Sequence, residues 1–156
     1  MPAPPLPPSP SLAPALDFLR HLWRLNHALE RASLNMERRL GVTAQQRLLV
    51  RCIGSFPGIT ASQLAELLHL DRGTVSVGLG RLARKGLVTR RREPGDRRRV
   101  ALGLSAQGAL LVKPDPRTVE AAVGRLMGRL PAREVGHARR VLSELAEDLE
   151  RQAGPG

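Results

Sequence analysis

The chain has 156 residues, enough for one sizeable hydrophobic core and too few for two, so we expect a single domain. Its 25 basic and 14 acidic residues leave a formal charge of +11, which predicts an anionic partner. Because no apolar run approaches the roughly 20 residues of a membrane span and no secretion signal begins the chain, we expect a soluble cytoplasmic protein without membrane contact.

Arginine supplies nearly all of the positive charge, since Lys85 and Lys113 are the only lysines in the sequence. A planar guanidinium group binds phosphate through a fork of donors and stacks on bases, so this composition favours nucleic acid over lipid headgroups. A bias in genome composition is an alternative for the scattered arginines. The single cysteine, Cys52, excludes an intrachain disulfide and fits a reducing compartment.

Residues 1–14 contain seven prolines, so we predict a disordered, extended arm that is either a dispensable tail or a docking peptide for a proline-reading domain. Residues 15–42 carry leucines and Trp23 at helical spacing, which predicts one long amphipathic helix ended by Gly41.

The next segments carry strong helix-start signals. The stretches TAQQ, at 43–46, and TASQ, at 60–63, each place Gln three residues after Thr, the pattern of a capping box at the start of a short helix. Asp71 can cap a further helix that runs through Lys85 and ends at Gly86. The stretches LVTRRRE and RRRVALG flank the corner PGD and predict a β-hairpin.

The helical pattern returns after Ser105 and is broken by KPDP at 113–116. We predict a restart with Asp115 as N-cap and Pro116 at the first helical position, and an end near Leu130. A last amphipathic helix is predicted from about Pro131 to Arg151. The fold class is therefore mainly α with a small β-hairpin.

Two short helices followed by a recognition helix and a basic hairpin form the order of a winged helix-turn-helix. On the helix after Asp71, one side carries Val75, Leu79 and Leu82 and faces the core. The opposite arc is exposed and unusually small, with members Gly73, Val77, Gly80, Arg81 and Arg84, flanked by Thr74 and Ser76. Each interior glycine costs ~1 kcal/mol relative to alanine, which a close approach to a DNA major groove explains. Packing against another protein element is the alternative.

Positive charge is concentrated in residues 81–99, where nine basic and two acidic residues give a net charge of +7. Such focusing is typical of phosphate contact. We expect Asp96 to pair with Arg98 and to aim the hairpin tip at the minor groove. The predicted DNA-binding residues are Arg72, Thr74, Ser76, Val77, Arg81, Arg84, Arg91, Asp96, Arg97, Arg98 and Arg99.

These residues resemble the MarR family of bacterial regulators. Asp96 and Arg98 match the family's D-x-R signature, the stretch RLARKGLV at 81–88 matches the end of its recognition helix, and Leu104, Ser105 and Gly108 match its Leu-(Ser/Thr)-x-x-Gly helix start. The resemblance implies a transcriptional regulator that binds a palindromic double-stranded DNA operator near its own or a neighbouring gene. It implies a homodimer joined by helices in 15–42 and 105–152, with 43–104 as the DNA-binding domain.

The resemblance further implies a repressor released by a small, often aromatic, anion or by cysteine oxidation. We place the effector site near Trp23, His27 and Arg51, where an aromatic wall would meet a cation. The chain departs from the family at Val77, at Gly80 and at the KPDP break, which leaves its base readout and the packing of its dimer helices open.

No two of the four histidines have the spacing of a helical metal site, and no nucleotide loop or catalytic signature is present, so we expect no metal, no cofactor and no enzymatic activity. Two alternatives stay open beside a specific regulator. One is an architectural DNA-binding protein that does not discriminate sequences, and the other is a protein-interaction module with a basic hairpin.

Overall fold

The computed structural model describes residues 13–154, apart from the side chain of Arg97. The arm predicted for 1–14 therefore lies almost entirely outside the described residues. Along 13–154 the elements follow in the order α1 (Pro14–Leu40), α2 (Ala44–Ser55), α3 (Ala61–Leu68), α4 (Arg72–Arg84), β1 (Val88–Glu93), β2 (Asp96–Leu104), α5 (Ala106–Leu110), α6 (Val119–Met127) and α7 (Ala132–Ala153).

The predicted fold class is confirmed, because helices dominate and β1 and β2 pair as an antiparallel hairpin. The chain divides into two compact units, of which the first ends at Lys113 and the second begins at Pro114. The division thus falls after α5 and not at residue 105, where the sequence placed it. Within 13–154, no helix combines the length and the apolarity needed to cross a bilayer.

The helix starts of the first unit follow the local signals in the sequence. Thr43 and Thr60 each form a capping box with the Gln three residues on. α1 begins at Pro14, one position inside the segment assigned to the arm, because proline is tolerated in the first helical turn. It ends at Gly41, whose φ of 73° is a left-handed conformation that glycine adopts without steric cost.

The core of the first unit lies where α2, α3 and α4 pack together and the hairpin closes one side. The backbone of the turn before α3 joins the hairpin, since the Leu102 N–H donates to the Ile59 carbonyl at 2.9 Å and the Gly58 N–H donates to the Leu102 carbonyl at 3.2 Å. These bonds fix the hairpin relative to the helices. The buried core residues are Val42, Leu49, Val50, Ile53, Ile59, Leu64, Ala65, Val75, Leu79, Leu82, Val88 and Leu102.

α5 is fastened to the end of α4 by its first residues. The Ser105 N–H donates to the Leu87 carbonyl at 3.1 Å, and the Ser105 hydroxyl donates to the Gly86 carbonyl at 2.7 Å while accepting from the Gly108 N–H at 3.0 Å. A Cβ atom at Gly108 would lie only 2.0 Å from the Leu87 carbonyl oxygen. The Leu-Ser-x-x-Gly stretch therefore allows the backbone of α5 to pack directly against the backbone of residues 86–87, which keeps α5 in the first unit.

The second unit corrects the prediction for the helix after KPDP. The helix begins at Val119 with Thr118 as its N-cap, not at Pro116 with Asp115 as N-cap. The Asp115 carboxylate instead accepts from the Arg117 N–H at 2.8 Å, two residues on, which builds a turn ahead of the helix. The helix also ends at Met127, with Gly128 as C-cap, earlier than the predicted end near Leu130.

Candidate nucleic-acid interface

α4 presents its predicted core side inward and its predicted small side outward. Val75, Leu79 and Leu82 are at most 1% exposed. At the start of the helix, the Asp71 carboxylate accepts the Thr74 N–H at 2.7 Å and also accepts a hydrogen bond from the Thr74 hydroxyl. The Thr74 hydroxyl, followed by its N–H, lowers the pKa of Asp71, so the cap stays ionised at neutral pH.

Gly78 and Gly80 of α4 differ in how much space a side chain would find at each position. A Cβ at Gly78 would lie 2.6 Å from Leu49 Cδ1, so glycine there allows α4 to pack closely on α2. A Cβ at Gly80 would meet only Arg84 Nη1, at 3.9 Å, which is ordinary contact. Packing within the chain therefore explains Gly78, while Gly80 has room for a side chain that it does not carry.

The hairpin tip is organised by its acidic residues. The Asp96 carboxylate accepts from the Arg98 backbone N–H at 2.9 Å, and Arg99 Nε lies 3.5 Å from Glu93 Oε2. The pairing expected between Asp96 and Arg98 therefore acts through the backbone N–H of Arg98. Gly95, at a φ of 96°, supplies the left-handed residue of the turn.

A cleft of about 740 Å³ separates α3 and α4 from the hairpin. Its hairpin wall carries four arginines, and its helical wall includes the start of α3 and Ser76 of α4. Since the arginines share one concave surface, the cleft attracts anions. Its lining residues are Thr60, Ala61, Ser62, Ser76, Leu79, Arg90, Arg92, Asp96, Arg98, Arg99, Val100 and Leu102.

A second cleft of about 370 Å³ lies on another side of α4, next to the start of α2. It includes three predicted DNA-binding residues, Thr74, Val77 and Arg81. The predicted residues Arg72, Arg84 and Arg91 are exposed and line neither cleft, and the side chain of Arg97 lies outside the described residues.

Arg90 and Arg92 line the larger cleft and were missed by the sequence argument, which chose Arg91 from the same run. Side chains alternate along a strand, so residues 90 and 92 share the face of the buried Val88, whereas residue 91 points to the other face. Strand periodicity applied outward from Val88 could have identified them.

The comparisons with known proteins agree with this geometry. Residues 40–99, which hold α2 to α4 and most of the hairpin, match the model of the MarR family. This part of the chain is therefore similar to the MarR family.

Two curated transcriptional regulators are similar to parts of the chain. The chain is 36% identical to the organic hydroperoxide resistance transcriptional regulator of Bacillus subtilis over 73 residues, 47% of this chain and 50% of that protein. It is 28% identical to the HTH-type transcriptional repressor Rv2887 of Mycobacterium tuberculosis over 109 residues, 70% and 78% of the two chains. The match therefore spans half of the Bacillus protein. Both relatives are named as transcriptional regulators, which agrees with the function expected from the sequence.

The crystal structure of Streptococcus pneumoniae FabT in complex with DNA is similar at 27% identity and a TM-score of 0.61, covering 88% of this chain and 96% of that one. The similarity confirms the winged helix-turn-helix fold that the sequence predicted.

Trp23, His27 and Arg51, the residues expected to hold an effector, have different surroundings in the structure. Trp23 is 64% exposed on α1, and His27 is exposed as well. Arg51 donates to the Val112 carbonyl at 2.5 Å, so its guanidinium is turned to the backbone after α5. The cation that the effector hypothesis needs thus already has a structural partner.

Arg47 and Arg51, one turn apart on α2, form a clamp that sequence analysis missed. Arg47 is only 2% exposed and donates to the carbonyls of Leu111 at 2.5 Å and of Lys113 at 2.9 Å. The carbonyls bound by Arg47 and Arg51 belong to residues 111–113, just after α5 ends at Leu110. The clamp therefore holds the backbone that follows α5, which forms the last residues of the first unit.

Cys52 is half-buried, and burial raises the pKa of its thiol more than the nearby Arg51 lowers it. A thiol of this kind stays protonated at neutral pH, which disfavours reaction with oxidants. Among the described residues, no three His, Cys, Asp or Glu side chains gather as metal ligands would.

Proposed function

We propose that this chain is a homodimeric repressor of the MarR family that binds a palindromic double-stranded DNA operator in a sequence-specific way. The observation that carries the proposal is the arginine-lined cleft beside the exposed side of α4. A recognition helix inserted in the major groove would bring one DNA backbone against that cleft, and its arginines would neutralise phosphates.

The homodimer is supported by large apolar side chains that are exposed on two helices of the described residues. α1 exposes Leu16, Phe18, Trp23, Leu25 and Leu34, and α7 exposes Val141, Leu142 and Leu149. Exposed apolar surface on this scale is typical of an interaction site, and a two-fold dimer matches the symmetry of a palindrome. Light scattering at micromolar concentration should give twice the chain mass, and a monomer would contradict the dimer.

The DNA-binding proposal is tested by footprinting on DNA that flanks the protein's own gene, followed by fluorescence anisotropy with the protected sequence. Arg98→Ala should weaken operator binding by ~1–3 kcal/mol and reduce the logarithmic salt dependence by about one unit, because one phosphate contact is lost. Arg133→Ala removes the same charge from α7 and serves as the matched control. Unchanged operator affinity in Arg98→Ala would contradict the assignment of the hairpin.

A scrambled duplex separates this proposal from its alternatives. Equal affinity for operator and scrambled DNA would indicate an architectural protein, and no DNA binding at physiological salt would indicate a protein-interaction module. Release by a small aromatic anion near Trp23, His27 and Arg51 remains part of the proposal. It should be abandoned if a panel of aromatic carboxylates at millimolar concentration changes neither the melting temperature nor operator binding.

A further inference from the structure

Thr74 lies on the side of α4 expected to meet DNA, but its hydroxyl proton is already used within the chain. The Thr74 hydroxyl has one proton, and it donates that proton to the Asp71 carboxylate. With its backbone N–H bound to the same carboxylate at 2.7 Å, Thr74 is fastened to the helix cap. Thr74 therefore cannot donate to a base acceptor, although its position on α4 faces the second cleft.

Val77 stands next to Thr74 as an isolated apolar side chain. It is 55% exposed, and its neighbours one turn before and after on the helix surface include Gly73 and Gly80, which have no side chains. A β-branched residue in a helix is largely confined to one rotamer, so its two methyl groups are held in a fixed direction. Val77 therefore presents a small apolar surface in a fixed orientation, with no side chain at Gly73 or Gly80 to shield it.

Gly80 and the exposed Val77 both cost free energy in the unbound protein, which indicates that this surface binds a ligand. Gly80 gives up helix stability although a Cβ there would meet nothing closer than 3.9 Å within the chain. Val77 likewise exposes apolar surface to water in the free protein. Both features become favourable when another apolar group approaches closely between the two glycines.

We propose that Val77 reads the 5-methyl group of a thymine in each operator half-site. Among the base edges of the major groove, thymine alone presents a methyl group, and the glycines on either side of Val77 allow the base pair to approach it. Ser76 and Arg81, on the same helix, supply the polar part of the readout. This inference deepens the proposed DNA-binding function and rests on it.

The test replaces thymines of the footprinted operator one at a time, at symmetric positions, with deoxyuridine, which lacks only the methyl group. Anisotropy titrations with the wild-type protein should show one pair of symmetric positions where affinity falls by about fourfold per half-site, the value of one buried methyl group. Val77→Ala should bind the thymine operator more weakly and should lose the sensitivity to deoxyuridine at that position. Ser76→Ala serves as the matched variant and should keep that sensitivity.

The outcomes are distinguishable from a failure of the proposed function. If every deoxyuridine operator binds as tightly as the thymine operator, the methyl readout is overturned while the proposed DNA-binding function is unaffected. Unchanged deoxyuridine sensitivity in Val77→Ala also overturns the assignment to Val77. A protein that binds no operator at all overturns both. Circular dichroism of each variant confirms that it is folded.

Discussion

Replacing Gly108 by alanine has two opposite effects on stability: alanine favours the helix, but its Cβ would clash with the backbone of Leu87. In an exposed helix, glycine to alanine raises stability by ~1 kcal/mol, because alanine restricts the unfolded chain and favours the helix. At Gly108 the added Cβ would lie 2.0 Å from the Leu87 carbonyl oxygen, whereas ordinary contact begins at 3.4 Å. Because the obstacle is backbone, α5 would have to withdraw.

The size of the effect follows from what that withdrawal breaks. Overpacking of this kind costs ~1–3 kcal/mol. The two hydrogen bonds from Ser105 to the carbonyls of Leu87 and Gly86 contribute ~1 kcal/mol each. After subtraction of the ~1 kcal/mol gained in helix propensity, Gly108→Ala should lower the free energy of unfolding by about 2–4 kcal/mol. The melting temperature should fall by roughly 10 °C.

The assay is urea unfolding followed by circular dichroism at one fixed protein concentration, since a dimer's stability depends on concentration. Gly80→Ala is the matched control, because it adds the same methyl group in a helix of the same unit with its nearest neighbour at 3.9 Å. It should raise stability by ~0.5–1 kcal/mol. A Gly108→Ala protein as stable as the wild type would refute the docking argument.

Three further predictions concern the buried clamp, the hairpin tip and the cysteine. Arg47→Met should lower the free energy of unfolding by about 3 kcal/mol in the same urea assay, since it leaves the carbonyls of Leu111 and Lys113 without their donor; a loss below about 1 kcal/mol would contradict the clamp. Asp96→Ala should weaken operator binding while leaving affinity for scrambled DNA unchanged or higher, because it frees the Arg98 backbone and raises net charge; tighter specific binding in anisotropy would contradict the orienting role. Because burial raises the pKa of Cys52, mass spectrometry should show that it reacts with iodoacetamide at pH 7 more slowly than glutathione does, and rapid alkylation would contradict the raised pKa. For the same reason, the contribution of Cys52 to the free energy of unfolding should be constant at neutral pH and should decline as the pH rises through and above about 9.

Local chemistry in the sequence was sufficient to determine the order of the helices in the first unit and the starts of α2, α3 and α4. Thr43, Thr60 and Asp71 satisfy backbone donors within three residues of themselves, so their effect does not depend on the rest of the fold. The inward side of α4 was equally predictable, because helical periodicity alone separates Val75 and Leu79 from the exposed arc. The focused arginine charge and the family motifs then indicated DNA binding.

Distant packing decided what short-range patterns could not. Arg47 was indistinguishable in the sequence from a surface arginine, and it is buried where the segment after α5 brings the carbonyls of Leu111 and Lys113 to it. Asp115 and Thr118 were both plausible caps, and the turn built by Asp115 gave the role to Thr118. Gly78 packs against the side chain of Leu49 and Gly108 against the backbone of Leu87, and both neighbours are distant in the sequence. Such contacts form when separate elements meet, so only the tertiary structure determines which side chain has room and which charge has a partner.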